Sequence, residues 1–264
     1  MPDTRAGRLR LAPGLSAAEI HSHTDASDGM VSAAELVRAA AAIGLAVICI
    51  TDHDTMGSFD AAIVEGRRLG VEVVRGEEVT CSFPPGTHIL GLFLETPIPM
   101  HMSVADTVAA IHAQRGLAIV AHPFMPTWFA SMTPRQLTRL VGDHEVDGIE
   151  LRHTAPVLRG TWKRLDDFYA AHRSRLGAVL GAGDSHFGRH DLGRVVTLFP
   201  GRTAADLRHA IENRLTSPMR GVMPVAPPWR MRLGQQKRSM IELNLKRHRK
   251  QVGQGVPGRR SSEA

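Results

Sequence analysis

His21-Ser22-His23-Thr24-Asp25-Ala26-Ser27-Asp28-Gly29 is the stretch on which the reading of this chain turns. It follows a short apolar run, and in an extended strand residues i and i+2 share a face, so the imidazoles of His21 and His23 converge while Ser22 points away. A lone His-x-His carries little weight. The pattern repeats: Asp184-Ser185-His186 offers the same spacing far down the chain, and between them come Asp28, His53 in Thr51-Asp52-His53-Asp54, Glu78 in Gly76-Glu77-Glu78, His88 in Thr87-His88-Ile89 and His122 in Ala121-His122-Pro123. Each sits where a predicted strand ends. Imidazole and carboxylate without thiolate suit zinc, manganese or iron better than a sulfur-rich structural zinc site. The arrangement reads as a multinuclear metal site built for hydrolysis.

Outward from these residues the chain alternates. Apolar strands are predicted near 18–22, 45–51, 71–79, 87–93, 117–121, 146–151, 177–182 and 194–199, with helices near 33–43, 57–69, 104–115, 134–142, 160–174 and 204–215. Such alternation argues for parallel βαβ units. Helix starts are marked by the capping box Ser32-Ala33-Ala34-Glu35, by Ser103 before Asp106, by Thr133-Pro134 and by Thr203 before Asp206. The strand near 87–93 follows its predecessor after only a Pro-Pro-Gly turn at 84–86, which predicts a hairpin and an irregular barrel. At 264 residues and 43% hydrophobic content the chain suffices for one α/β barrel with a real core. No apolar run approaches the roughly 20 residues that span a bilayer, and the N-terminus lacks a basic region followed by an apolar stretch, so a soluble, cytoplasmic protein without a membrane partner is expected. Cys49 and Cys81 give no disulfide framework and read as reduced packing residues.

The segments 21–29, Ile-Thr-Asp-His-Asp-Thr (50–55), Gly-Glu-Glu-Val-Thr (76–80), His-Ile-Leu-Gly (88–91), Ala-His-Pro (121–123), Gly-Ile-Glu-Leu (148–151) and Gly-Asp-Ser-His (183–186) together resemble the polymerase-and-histidinol-phosphatase (PHP) superfamily of metal-dependent phosphoesterases, over roughly residues 18 to 215. The resemblance implies a distorted (β/α)7 barrel with two or three divalent ions at the C-terminal ends of its strands. By position, His21, His23, Glu78 and Asp184 would hold one ion, Glu78 would bridge to a second bound by His88 and His122, and Asp28, His53 and His186 would hold the third. The family pattern Gly-x-Glu selects Glu78 over its neighbour Glu77. Family phosphoesterases often carry a helical insertion between the His88 and His122 motifs, for which residues 89–121 leave little room.

The chemistry expected of such ions is phosphoester hydrolysis by a metal-bridged hydroxide, since coordination lowers the pKa of water to about 7 in favourable zinc sites. Glu78 and Asp184 would act as ligands first and proton handlers second. Arg152, directly after the strand of Glu150, and Arg189, just beyond His186, are the candidates for phosphate capture. His190 is a candidate to touch substrate or protonate the leaving oxygen, while His101 and His153 lie in loops with no assigned part. Asp52 and Asp54 read as orienters of His53 or as turn formers.

Residues 226–264 differ from the 1–225 catalytic unit. They carry ten Lys or Arg against two Glu, so the whole-chain charge of +6 leaves the preceding residues near −2. Low apolar content and Gly/Pro segments predict a basic, flexible C-terminal extension with one short helix around 237–250. Three functions stay open: a phosphomonoesterase acting on a small phosphorylated metabolite or nucleotide, a nuclease or phosphodiesterase trimming DNA or RNA ends with the basic tail holding the polymer, and a non-catalytic metal- or nucleic-acid-binding protein.

Overall fold

The computed structural model describes residues 7–82, 86–126 and 130–242. Its strands are β1 (Leu15–Glu19), β2 (Val47–Ile50), β3 (Glu72–Thr80), β4 (His88–Leu92), β5 (Leu117–Val120), β6 (Gly148–His153), β7 (Ala178–Ala182), β8 (Val195–Pro200) and β9 (Ser217–Arg220). The helices are α1 (Ala33–Ile43), α2 (Phe59–Leu69), α3 (Val104–Ala113), α4 (Pro134–Asp143), α5 (Thr161–Leu176), α6 (Ala204–Glu212) and α7 (Trp229–Lys237). One sheet runs in the order β7-β6-β5-β4-β3-β2-β1-β8-β9. Its ends come together where Ser22, just past β1, bridges Ser185, just past β7, and where Thr197 of β8 exchanges hydrogen bonds with Gly181 of β7. The sheet is therefore nearly closed, a barrel-like α/β fold of the expected distorted type.

Alternation of side chains builds this closure. Ala18, Val47, Cys49, Leu90, Leu92, Ile119 and Leu180 point into one inner cluster, joined by Leu207, Ala210 and Ile211 of α6, which plug the barrel. The intervening Ala17, Ile48 and Ile50 pack outward against α1. Ile89, Ala118, Val120 and Ile149 likewise pack outward, against α3 and α4. Burying both faces is what allows near-continuous apolar strands such as Val47–Ile50. Both cysteines are buried and unpaired, and burial pushes the Cys81 thiol up to about 11.

Two strands of the sheet, β4 and β8, run against the others. β4 pairs antiparallel with both β3 and β5, as the predicted hairpin requires, although Pro84 and Pro85 of its turn lie outside the described residues. β8 returns antiparallel to β1. The capping boxes at Ser32–Glu35 and Thr203–Asp206 form, and Thr133 closes one with Gln136.

The sequence reading missed β9, a four-residue strand containing Pro218 that, among the described residues, pairs with β8 alone. The helix expected around 237–250 begins earlier, at Trp229, and continues as a π-helical turn over Arg238–Glu242. The remainder of the predicted tail, 243–264, lies outside the described residues.

Candidate metal centre

The nine histidines and carboxylates singled out in the sequence meet at one rim of the barrel, at the C-terminal ends of the parallel strands. β1 ends at Glu19, yet the backbone stays extended: His23 N–H donates to the Ser185 carbonyl (2.8 Å) and Ser185 N–H to the His21 carbonyl (3.2 Å). This zips His-x-His to Asp-x-His. His53 follows β2 and bridges to Glu78 near the end of β3; His122 follows β5. His88 departs from expectation, because it opens β4 instead of ending it. The reversal of β4 brings its first residue to the rim the other strands reach last. His122 (φ 25°) and Asp184 (φ 47°) adopt left-handed backbone, a conformation costly for non-glycine residues that surrounding structure must hold.

Glu78 is the centre of the arrangement. Its Oε1 lies 2.7 Å from His88 Nδ1 and 3.0 Å from His122 Nε2. Its Oε2 lies 3.0 Å from His53 Nδ1, 3.2 Å from His21 Nε2 and 3.3 Å from His23 Nε2. Asp184 Oδ1 stands 3.2 Å from His23 Nε2, and Asp28 Oδ1 stands 3.2 Å from His186 Nε2. The ligand-type atoms fall into four overlapping groups: His21, His23 and Asp184; His21, Glu78 and His122; His53, Glu78 and His88; and His23, Asp28, His53 and His186. Glu77, one residue from Glu78, faces the other way by strand alternation, and its carboxylate accepts from Ile98 N–H (2.7 Å).

Despite these close approaches, several buried atoms make no aligned hydrogen bond: His21 Nε2, both ring nitrogens of His23, Asp28 Oδ1 and one ring nitrogen each of His53, His88 and His122. Leaving a buried polar group unsatisfied costs about 1–3 kcal/mol. Concentrating such groups at one point makes sense if they are ligands, and nitrogen and oxygen donors without sulfur fit divalent zinc, manganese or iron.

Charge is shared unevenly. Burial alone would raise the carboxyls of Glu78 and Asp184, but the surrounding imidazoles hold both well below the usual carboxylate range. Burial opposes a charged His186, yet Asp28 and Asp184 beside it push its pKa up to about 10; burial takes His53 down to about 3. His21 and His122 are also raised, Glu78 being the first neighbour to do so against burial. Metal ligands must be deprotonated, so an ion entering this site has to displace protons. Titration of Zn2+ at pH 7 in buffers of different ionisation enthalpy is expected to show net proton release, with affinity falling as pH falls; an enthalpy independent of buffer would contradict it.

Residues outside the nine fix this geometry. Glu150 on β6, which the sequence reading left without a part, accepts from His21 Nδ1 (2.8 Å) and from His122 N–H (2.6 Å). It thereby fixes the His21 tautomer and aims Nε2 at the cluster. Asp191 accepts from Ser185 Oγ (2.6 Å) and His186 N–H (2.7 Å), locking the turn that carries Asp184 and His186. Asp52 accepts from Thr24 N–H, Ser27 Oγ and Ser58 Oγ, shaping the loop that carries Asp28. Asp54 accepts from Thr80 N–H and Oγ1 at the end of β3. A Cβ at Gly183 would strike the buried Glu19 carboxyl that accepts its N–H, so a side chain there requires Glu19 to shift and give up that bond.

The remaining candidates stand apart from the cluster. Arg152 forms a bidentate ion pair with Asp166 (2.8 and 2.9 Å) and lies over Trp162. Arg189 is exposed with Nε 3.4 Å from His190, and His190 Nδ1 donates to the Val225 carbonyl (3.0 Å). His153 is buried edge-on to His122 and Trp162, and burial lowers its pKa to about 4. His101 sits in a left-handed turn before α3, its N–H bonded to Thr80 O.

Known proteins share this pattern. A 5'-3' exoribonuclease of Haemophilus influenzae is 32% identical over 102 residues, 38% of this chain and 37% of its own length. The match thus spans little more than a third of that relative. A 3',5'-nucleoside bisphosphate phosphatase of Chromobacterium violaceum is 26% identical over 197 residues, 67% of this chain and 69% of its own. A two-domain Bacteroides vulgatus protein, described as containing a PHP-like metal-dependent phosphoesterase, superposes with a TM-score of 0.68 at 19% identity, covering 89% of this chain and 74% of that one. The profile of the PHP domain matches residues 19–190, the span from the end of β1 to the turn beyond β7 that contains every residue of the cluster, and the chain belongs to that family.

Proposed function

We propose that this protein is a metal-dependent phosphoesterase acting on a small phosphorylated metabolite or nucleotide, with two or three divalent ions, zinc, manganese or iron, held by His21, His23, Asp28, His53, Glu78, His88, His122, Asp184 and His186. The observation that carries the reading is Glu78, one buried carboxylate facing five imidazoles at the strand-end rim. Ions bound there would polarise a phosphoryl oxygen and activate water for attack. The chain's own residues do the positioning. Glu150 holds the His21 ring, the Ser22–Ser185 bridge sets the spacing of His23 and Asp184, and Asp191 holds the turn of His186. Asp184 is partly open to solvent, its side chain 21% exposed where Glu78 is 1% exposed, so solvent reaches the cluster at Asp184.

The family and the named relatives support a phosphoesterase, and the exoribonuclease among them supports a polymer substrate as the rival. Of the described residues, none forms a helix long and apolar enough to cross a membrane. The test is phosphate release, by protein purified without chelator, from mononucleotides, 3',5'-bisphosphates, histidinol phosphate and short oligonucleotides. Turnover of the monomeric substrates at moderate salt is expected. Exclusive shortening of oligonucleotides, abolished by salt, would select the nuclease instead, and a metal-loaded protein inert toward all of them would overturn both.

A further inference from the structure

The segment after β9 does not leave the barrel. His190 Nδ1 donates to the Val225 carbonyl, Gln235 Nε2 of α7 donates to Asp28 Oδ2 (3.2 Å), and Arg238 donates to the Gly29 carbonyl. Gly234 lies against Met30, where an added Cβ would come within 2.8 Å of Met30 Cε. The helix is thereby seated on the loop that carries Asp28. A cavity of about 410 Å3 is lined both by Asp184 and His186 of the cluster and by Arg232, Gln235 and Gln236 of α7, with Arg194, just before β8, also lining it. That volume falls within the roughly 300–1,000 Å3 of small-molecule sites.

Of the arginines at or just beyond strand ends on the rim, Arg152 is committed to Asp166, while the Arg189 side chain, among the described residues, has only its contact with His190. Arg194 and Arg232 are exposed and have neither an ion pair nor a side-chain hydrogen bond among the described residues. A planar guanidinium left without a carboxylate is suited to a bidentate phosphate contact. Asp184 and His186, which line the same cavity, belong to the cluster that would receive the scissile phosphate.

We propose that α7 is a wall of the substrate pocket, and that Arg232 with Arg194 binds a second phosphate of a small bisphosphorylated substrate whose scissile phosphate meets the Asp184–His186 side. This rests on the phosphoesterase reading above. Arg232 and Arg194 are specificity residues, and Gln235, bonded to Asp28, is a positioning residue that ties α7 to the site.

The experiment compares the full chain with its Arg232→Ala, Arg194→Ala and Arg232→Lys variants. Steady-state turnover of adenosine 3',5'-bisphosphate and of p-nitrophenyl phosphate is measured beside calorimetric binding of the bisphosphate. For each alanine variant the ratio of kcat/KM, bisphosphate over p-nitrophenyl phosphate, is expected to fall by about tenfold or more, through KM, the loss typical of a hydrogen bond to a charged group. Arg232→Lys should recover part of it. An unchanged ratio in both alanine variants, whether both rates fall or neither does, overturns the proposal. If no phosphoester is turned over but the bisphosphate binds and the alanine variants weaken that binding about tenfold, the arginine pair stands and only the phosphoesterase reading fails. Wild-type protein that does not bind the bisphosphate, or variants that bind it equally well, sink the pair.

Discussion

Replacing Glu78 with Gln is expected to lower kcat/KM by about three powers of ten or more, because the several kcal/mol that bound ions contribute to a transition state convert to that factor. The substitution keeps the volume of a side chain that is 1% exposed and removes the charge facing His21, His23, His53, His88 and His122. Both oxygens of Glu78 are engaged, so more than one ion should lose affinity at once. Elemental analysis should show the metal content reduced by more than one equivalent, with a far-UV circular dichroism spectrum matching the parent. A variant that keeps its full metal content and turnover would mean that Glu78 does not hold the ions.

Stripping the metal should be the largest perturbation of stability. A ligand present at 1,000 times its Kd stabilises the folded state by about 4 kcal/mol. For a domain of this size 1 kcal/mol moves Tm by about 2–4 °C, so exhaustive chelation is expected to lower Tm by about 8–16 °C, reversibly on adding Zn2+ or Mn2+. The pH dependence has a definite sign. In the stripped protein, His186 has its pKa raised from 6.5 to about 10, chiefly by Asp28 and Asp184 acting against burial. A raised pKa contributes stability that is fully present below 6.5 and is lost as pH rises through 10. Protons meanwhile weaken metal binding at the acid end. The Tm gap between loaded and stripped protein should therefore widen from pH 6 to pH 9. A gap that is absent, or that narrows over that range, would show that these histidines do not hold the stabilising ion.

Much of this architecture could be read in the sequence because it depends on short-range rules. The i, i+2 spacing of His21 and His23 and of Asp184 and His186 survives as extended backbone zipped by Ser22 and Ser185. Helix starts at Ser32, Ser103, Thr133 and Thr203 are local hydrogen-bond devices and appear where expected. Glu150 was invisible as a site residue because its bond to His21 joins positions 129 apart, and nothing in Gly-Ile-Glu-Leu says which way the carboxylate faces. Arg152 looked free for phosphate because its partner Asp166 lies in the next helix. The early start of α7 was missed for a different reason. Trp229 and Leu233 remain 65% and 54% exposed, so the helix shows no apolar stripe for periodicity to find, and its position is set by side-chain contacts to Asp28 and Gly29.

The reversal of β4 bears on the order in which the centre assembles. Through that hairpin Glu78 and His88 are ten positions apart and meet in a local contact, whereas His21 must find Asp184 across nearly the whole barrel. Loop-closure entropy grows with the length of chain enclosed, and distant pairings form slowly. The hairpin half of the centre is thus expected to exist early in folding, and the Ser22–Ser185 seam to close last. Substitutions along that seam should then act mainly on the rate of unfolding, and those in the hairpin on the rate of folding.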